Sequence, residues 1–213
     1  MHGFERESRK DKKEEHIMAK LLYQGHGSLR IVTDEEIVIY IDPYAGEGYD
    51  LPADLILVTH QHYDHNQIEK PVHAADCIIY QNMEAYHDGI YEKIVLNGIE
   101  VEAVEAYNKR HKKEESVGYL ITVDEHLLYF AGDTSRTEQM ETLAKRKIEY
   151  AFLPIDGIFN MGVKEAIECA KLIGAKHTIP VHVAPGRLFS KSRAKRFQVT
   201  GSMILEPGME IEL

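Results

Sequence analysis

Tryptophan is absent, and cysteine is nearly so, with only Cys77 and Cys169 in 213 residues. Two distant cysteines cannot make the disulfide lattice of a small secreted domain, and they lack the paired spacing of a cysteine zinc site. Both are expected to be reduced core residues. No apolar run approaches the length that crosses a bilayer, and the first residues are charged where a secretory leader needs an apolar segment, so a cytoplasmic location is expected. Basic charge is also in deficit: 25 Lys and Arg against 35 Asp and Glu give a net charge of -10. That balance argues against nucleic acid and against an anionic membrane as partners, because neither would be attracted over distance.

What remains is enough for one sizeable core. Residues 1 to 16 are nearly all polar or charged and read as a flexible extension; residues 17 to 213 read as one domain. Short β-like runs follow, at Lys20 to Tyr23, Ser28 to Thr33, Ile37 to Asp42, Leu55 to Thr59 and Cys77 to Tyr80. A meander is expected from Lys93 to Leu96, Ile99 to Ala106, Val117 to Val123 and His126 to Ala131, with Asn97-Gly98 as a hairpin turn. Helical spacing favours Thr137 to Lys145, Val163 to Ile173 and Arg187 to Phe197. Strand sets with helices laid outside them predict an α+β fold, a four-layer αβ/βα sandwich.

The most informative stretch is Thr59-His60-Gln61-His62-Tyr63-Asp64-His65-Asn66, directly after the apolar Leu55-Ile56-Leu57-Val58. An extended backbone sends alternate side chains to the same side, so His60 and His62 can reach one point. Asp64 and His65 follow where the chain leaves the strand, and a turn there aims them at a second point. Imidazole with carboxylate suits zinc, manganese or iron rather than calcium. The bland alternative is a histidine-rich surface loop that binds nothing specific.

This run resembles the His-x-His-x-Asp-His signature of the metallo-β-lactamase superfamily. Gly132-Asp133-Thr134 after Leu127 to Ala131, and Ile179-Pro180-Val181-His182 after another apolar run, resemble its later ligand motifs in the right order. Gly25-His26-Gly27-Ser28, Ile41-Asp42-Pro43-Tyr44, Ala106-Tyr107-Asn108 and Val117-Gly118-Tyr119 are similar to the branch that includes L-ascorbate-6-phosphate lactonase. The resemblance implies the same sandwich and a metal-dependent hydrolase, lactonase-like, holding two divalent ions, zinc first with manganese or iron as alternatives. His60 and His62 would bind one ion, Asp64, His65 and His182 the other, and Asp133 would bridge them. The superfamily's further histidine near the end of the strand that holds Val101 to Ala106 is missing. Asn108 stands nearest to its place, and His111 can substitute only if the basic segment around it folds back over the site.

Ions at such a spacing, roughly 3.5–4 Å, acidify water and polarise the bond under attack, so no serine triad is needed. Asp64, Asp133 and His26 are the catalytic candidates: Asp64 to orient the water, Asp133 to bridge, His26 as support for a ligand or as a substrate contact. Asp42 is placed behind a ligating histidine, and Thr59 and Thr134 are supporting hydroxyls. His2, His16, His73, His87, His126 and His177 sit in no ligand-rich run and are assigned to surface or structure. The expected substrate is a small molecule, anionic because Lys109, Arg110, Lys112 and Lys113 flank His111. The cluster Arg187, Lys191, Arg193, Lys195 and Arg196 reads as a solvated helix face. Alternatives are a phosphodiesterase or nuclease on the same centre and a non-catalytic metal-binding module. A homo-oligomer is compatible with the resemblance.

Overall fold

The computed structural model describes residues 18–213, so the charged extension, with His2 and His16, lies outside the described residues. The strands β1 (Lys20–Gly25), β2 (Ser28–Val32), β3 (Val38–Ile41), β4 (Ala53–Val58) and β5 (His73–Gln81) lead to the single turn α1 (Asn82–Ala85). A small hairpin, β6 (Tyr86–His87) with β7 (Ile90–Tyr91), precedes β8 (Lys93–Leu96), β9 (Ile99–Glu105), β10 (Val117–Val123) and β11 (His126–Phe130). Then come α2 (Met140–Leu143), β12 (Tyr150–Pro154), α3 (Val163–Ile173), β13 (His177–Val181), α4 (Lys191–Ala194) and β14 (Glu210–Glu212).

Two six-stranded sheets form, in the orders β14-β1-β2-β3-β4-β5 and β13-β12-β11-β10-β9-β8. Their inner faces make the main core, and strict alternation builds it: Leu55 and Leu57 of β4 point inward to meet Leu128 and Phe130 of β11. The intervening Tyr129 of β11 points outward and packs beneath α2 and α3 with Met140, Ala166 and Cys169. On the first sheet the outward residues Ile56 and Val58 are covered by Tyr49, Leu51 and Ile68, which belong to irregular segments. The sandwich thus carries its helical layer on the second sheet.

The expected elements are present with altered limits. β5 is longer than Cys77 to Tyr80, and Cys77 at its middle is half-buried instead of core, whereas Cys169 is fully buried. The run Thr137 to Lys145 is helical only as α2 plus a 3-10 turn, Ala144–Arg146. The run Arg187 to Phe197 yields only α4, because its first residues are drawn into tertiary bonds: the Leu188 carbonyl accepts from the His26 N–H at 2.8 Å. The hairpin turn at Asn97-Gly98 has both residues at positive φ, as a type I′ turn requires.

The topology also positions the site. β3, β4 and β5 run parallel in one sheet and β11, β12 and β13 in the other. Just past the carboxyl ends of these strands stand Asp42 (β3), His60 (β4), Asp133 (β11), Asp156 (β12) and His182 (β13). Each sheet therefore delivers polar side chains to the same edge of the sandwich, on loops anchored in rigid strands.

Candidate metal centre

His60, His62 and His111 bring their nitrogens together: His62 Nδ1 is 3.0 Å from His60 Nε2 and 3.2 Å from His111 Nε2. Asp64, His65, His182 and His26 form a second group, with donor atoms all within 4.8 Å of one another. Asp133 lies between the groups. Its Oδ1 is 3.5 Å from His65 Nε2, and its Oδ2 is 3.6 Å from both His111 Nε2 and His182 Nε2.

The histidines are aimed from behind. His65 Nδ1–H donates to Asp42 Oδ2 at 2.7 Å, which turns Nε2 toward the centre. The Thr59 hydroxyl donates to the same Asp42 oxygen at 2.7 Å and accepts from His60 Nδ1–H at 3.0 Å. Asp42 thus orients two histidines of different groups, one directly and one through Thr59. His111 Nδ1–H donates to Asn108 Oδ1 at 3.0 Å, and the backbone N–H groups of Arg110 and His111 bond to the same oxygen. The basic segment does fold back, so His111 enters the site while Asn108 stands behind it. His26 Nε2 lies 3.0 Å from Asp64 Oδ2, and its ring packs on His182 with centroids 3.8 Å apart.

One residue of the site was missed by sequence reasoning. Asp156 lies fully buried behind His182, with Oδ2 3.1 Å from His182 Nδ1; the N–H is poorly aligned, so the contact is chiefly ionic. Its Oδ1 accepts from the Ile158 and Phe159 N–H groups at 2.6 and 2.7 Å, and its Oδ2 accepts from Asn160 Nδ2 at 2.8 Å. That loop in turn holds Asn108, whose Nδ2 donates to the Phe159 carbonyl at 3.0 Å. The signal was available: Asp156-Gly157 follows the apolar β12 much as Asp133 follows Gly132 after β11.

Three of these positions hold the backbone in the left-handed region without being glycine: His26 at φ 53°, Asp42 at φ 45° and His182 at φ 43°. Such a conformation costs about 1 kcal/mol or more and persists where bonds enforce it. Here the His182 N–H donates to the His26 carbonyl at 2.7 Å, and the Asp42 N–H donates to the Leu57 carbonyl at 2.9 Å.

Electrostatics separate the roles. Burial, with His65 nearby, drives the His60 pKa well below 6.5, so its imidazole is neutral. Burial also lowers His111, more than Asp133 restores it. Burial alone would raise Asp133, but His182, His65, His60 and His111 hold it deep in the ionised range. His65 is buried too, yet the Asp133 and Asp42 carboxylates override desolvation and push it up to about 9. Two buried ring nitrogens, His65 Nε2 and His182 Nε2, face the centre without a hydrogen-bond partner. Inward-facing orphaned imidazole nitrogens around a buried carboxylate are the donor set of a first-row divalent cation, so the residues fit a metal.

A cavity of about 450 Å³ opens over this centre, walled on its outer side by Tyr63, Arg110 and Phe159. A second, of about 340 Å³, lies beyond His62 and His111 and reaches Met83, Glu114 and Glu115. Of the other histidines, His73 bonds the Ile68 carbonyl, His87 pairs with Glu92, His126 pairs with Glu149 and His177 stacks on Tyr150, all away from the centre. Thr134 Oγ1 accepts from the Tyr107 N–H at 3.0 Å, tying the Asp133 loop to the segment that carries His111. In the second basic cluster, Lys191 pairs with Glu206 and Arg193 donates to the Asp156 carbonyl, which braces the site from outside.

The sequence profile of the Beta-lactamase superfamily domain matches residues 20–182. The chain belongs to the metallo-β-lactamase superfamily. Within that superfamily it is similar to a UPF0173 metal-dependent hydrolase of Thermococcus onnurineus, 31% identical over 92% of this chain and 100% of the relative. A UPF0173 metal-dependent hydrolase of Methanospirillum hungatei is 30% identical over 91% of this chain and 99% of its own. The solved structure of Igni18, a metallo hydrolase of Ignicoccus hospitalis, superposes with a TM-score of 0.72 at 20% identity, over 92% of this chain and 99% of that one, and shows the shared fold. Membership carries the coarse activity, metal-dependent hydrolysis, and the grouped Asp64, Asp133 and histidines are residues that could hold a metal ion. No helix among the described residues is long and apolar enough to cross a membrane.

Proposed function

We propose that residues 17–213 form one binuclear metal-dependent hydrolase domain that cleaves an ester, lactone or phosphoester of a small anionic substrate. The observation that carries this reading is the position of Asp133, whose two oxygens face histidines of both groups. His60, His62 and His111 would hold one divalent ion, Asp64, His65 and His182 the other, and Asp133 both, with zinc best suited to so many imidazoles and manganese or iron next. When bound, such ions supply Lewis acidity and bring the pKa of water toward neutrality.

The protein's own groups do the rest. Asp42, Thr59, Asn108 and Asp156 hold the outer nitrogens of His65, His60, His111 and His182, so these four imidazoles are set before substrate arrives. Asp64 is the exposed carboxylate of the set, with 39% of its side chain accessible, and it lines the larger cavity. That placement suits it to orient water and to accept a proton as the bond breaks, while His26 restrains its other motions. Tyr63 and Phe159 line the outer wall of the cavity.

Hydrolysis of a lactone, a carboxylic ester and a phosphodiester, each with and without chelator, tests this reading. Chelator-sensitive turnover of the lactone or ester is the expected result. Turnover of the phosphodiester alone would transfer the protein to phosphodiesterase chemistry, and activity indifferent to chelation would refute metal dependence.

A further inference from the structure

Of the four cations around His111, two are already neutralised: Lys112 pairs with Glu115 and Lys113 with Glu105. Arg110 differs. Its Nε donates to the Ile158 carbonyl at 3.1 Å, and its guanidinium carbon sits 5.1 Å from the centre of the Phe159 ring. Among the described residues it meets no carboxylate, and its two Nη groups donate to no protein acceptor. A guanidinium pinned at Nε and backed by an aromatic ring has lost much of its rotamer freedom before any ligand arrives. Two parallel N–H donors are thereby left over, the fork that matches a carboxylate or phosphate.

Its surroundings say where such an anion would lie. Arg110 borders both cavities. The smaller one carries Glu114 and Glu115, which repel an anion. In the larger one the carboxylates are those facing the metal centre, and the remaining walls are the rings of Tyr63 and Phe159. Both rings are conspicuously exposed, at 72% and 41%, which suits a surface awaiting an apolar group.

We propose that Arg110 is the specificity-determining residue of this hydrolase: its Nη groups take the carboxylate or phosphate of a small substrate whose apolar portion lies against Tyr63 and Phe159. This rests on the hydrolase reading above for the chemistry, and on Arg110 alone for the choice of substrate. Arg110 touches no proposed metal ligand through its side chain, but its Nε braces the Ile158 carbonyl of the loop behind the centre, so the metal content of each variant is measured beside its binding.

The test uses the full-length metal-loaded protein and its R110A and R110K variants. Titration calorimetry with benzoate, phenylphosphonate and the neutral benzamide reads binding without turnover, and the two anions separate carboxylate from phosphonate preference. Removing the guanidinium is expected to weaken at least one anion by roughly tenfold, with benzamide within about twofold and R110K intermediate. The KM for 4-nitrophenyl hemisuccinate should rise in R110A relative to that for neutral 4-nitrophenyl acetate, so that the ratio of the two, and not the basal rate, reads the loss of the guanidinium. Equal anion binding by wild type and R110A, or no measurable anion binding, overturns the inference. Anion binding that depends on Arg110 in a protein that cleaves neither ester would uphold it and refute the ester reading instead.

Discussion

Asp156 carries more than its distance from the cavity suggests. One carboxylate faces His182 and also holds the Ile158 to Asn160 loop, which in turn fixes Asn108 and so His111. Both halves of the centre therefore depend on it. D156N keeps the shape but puts an amide N–H₂ either where Asn160 Nδ2 already donates or where the Ile158 and Phe159 N–H groups do. We expect kcat/KM and metal retention after dialysis to fall by roughly 10–100-fold, the usual effect of removing such a support; an unchanged variant would show that the loop positions itself. This is also where reading the sequence stopped short. His60, His62, Asp64 and His65 were legible because they are neighbours in the chain and share a strand end. Asp133 and His182 were legible through the superfamily motifs. Whether Asn108 or His111 completes the set could not be read, because the fold-back is set by contacts with residues about fifty positions away. Asp156 was missed because a buried aspartate that faces no cavity looks, in sequence, like a turn.

Strands were more legible than helices, for a physical reason. With both faces of β4 and β11 buried, these strands are written in large apolar residues. α2 and α4 cover only a turn each, so few positions report their period, and α4's flanks serve the site. The loop between β11 and α2 is constrained at Gly132, where φ is +62° and a Cβ would come within 2.9 Å of the Val117 carbonyl and 3.1 Å of Thr59 Cβ. G132A therefore both strains the backbone and pushes Asp133 out of register. It should cost about 2 kcal/mol and lower the melting temperature by about 4–8 °C in calorimetry; a loss below about 0.5 kcal/mol would mean that the loop relaxes freely. β9 is tied to the 3-10 turn by a two-pronged pair, Arg146 to Glu102 at 3.0 and 2.8 Å. Arg146 holds the Glu102 carboxyl below its ordinary value of 4.5. Because the folded value is the lower one, the pair's contribution is present above pH 4.5 and is lost as pH falls through the folded value. Denaturant unfolding of E102Q should thus show a deficit of about 0.5 kcal/mol at pH 7 that shrinks as the pH is lowered below 4.5; a deficit independent of pH would assign the loss to packing.

Taken together, the two sheets work as a clamp whose shared edge is the metal centre. The candidate ligands come from loops after β4, β9, β11 and β13, so a bound cation would join parts of the chain far apart in sequence. Chelation should accordingly lower the melting temperature of the entire domain, with recovery on adding back zinc, and an unchanged melting temperature would speak against such joining. The inward orphaned nitrogens of His65 and His182 and the central Asp133 account for this coupling. Under the proposed reading, ions held at the centre together with Arg110 would offset the acidic surplus of the chain at this edge and so favour a small anion there.

The centre's composition is tested most directly by counting metal in wild type and H111A, each purified without added chelator or metal. His111 belongs to one group of donors and not the other. The account predicts close to two ions per wild-type chain and about one per H111A chain, with hydrolysis lost in the variant. A single ion in both proteins, or two in both, would contradict the placement of His111 in a two-metal site.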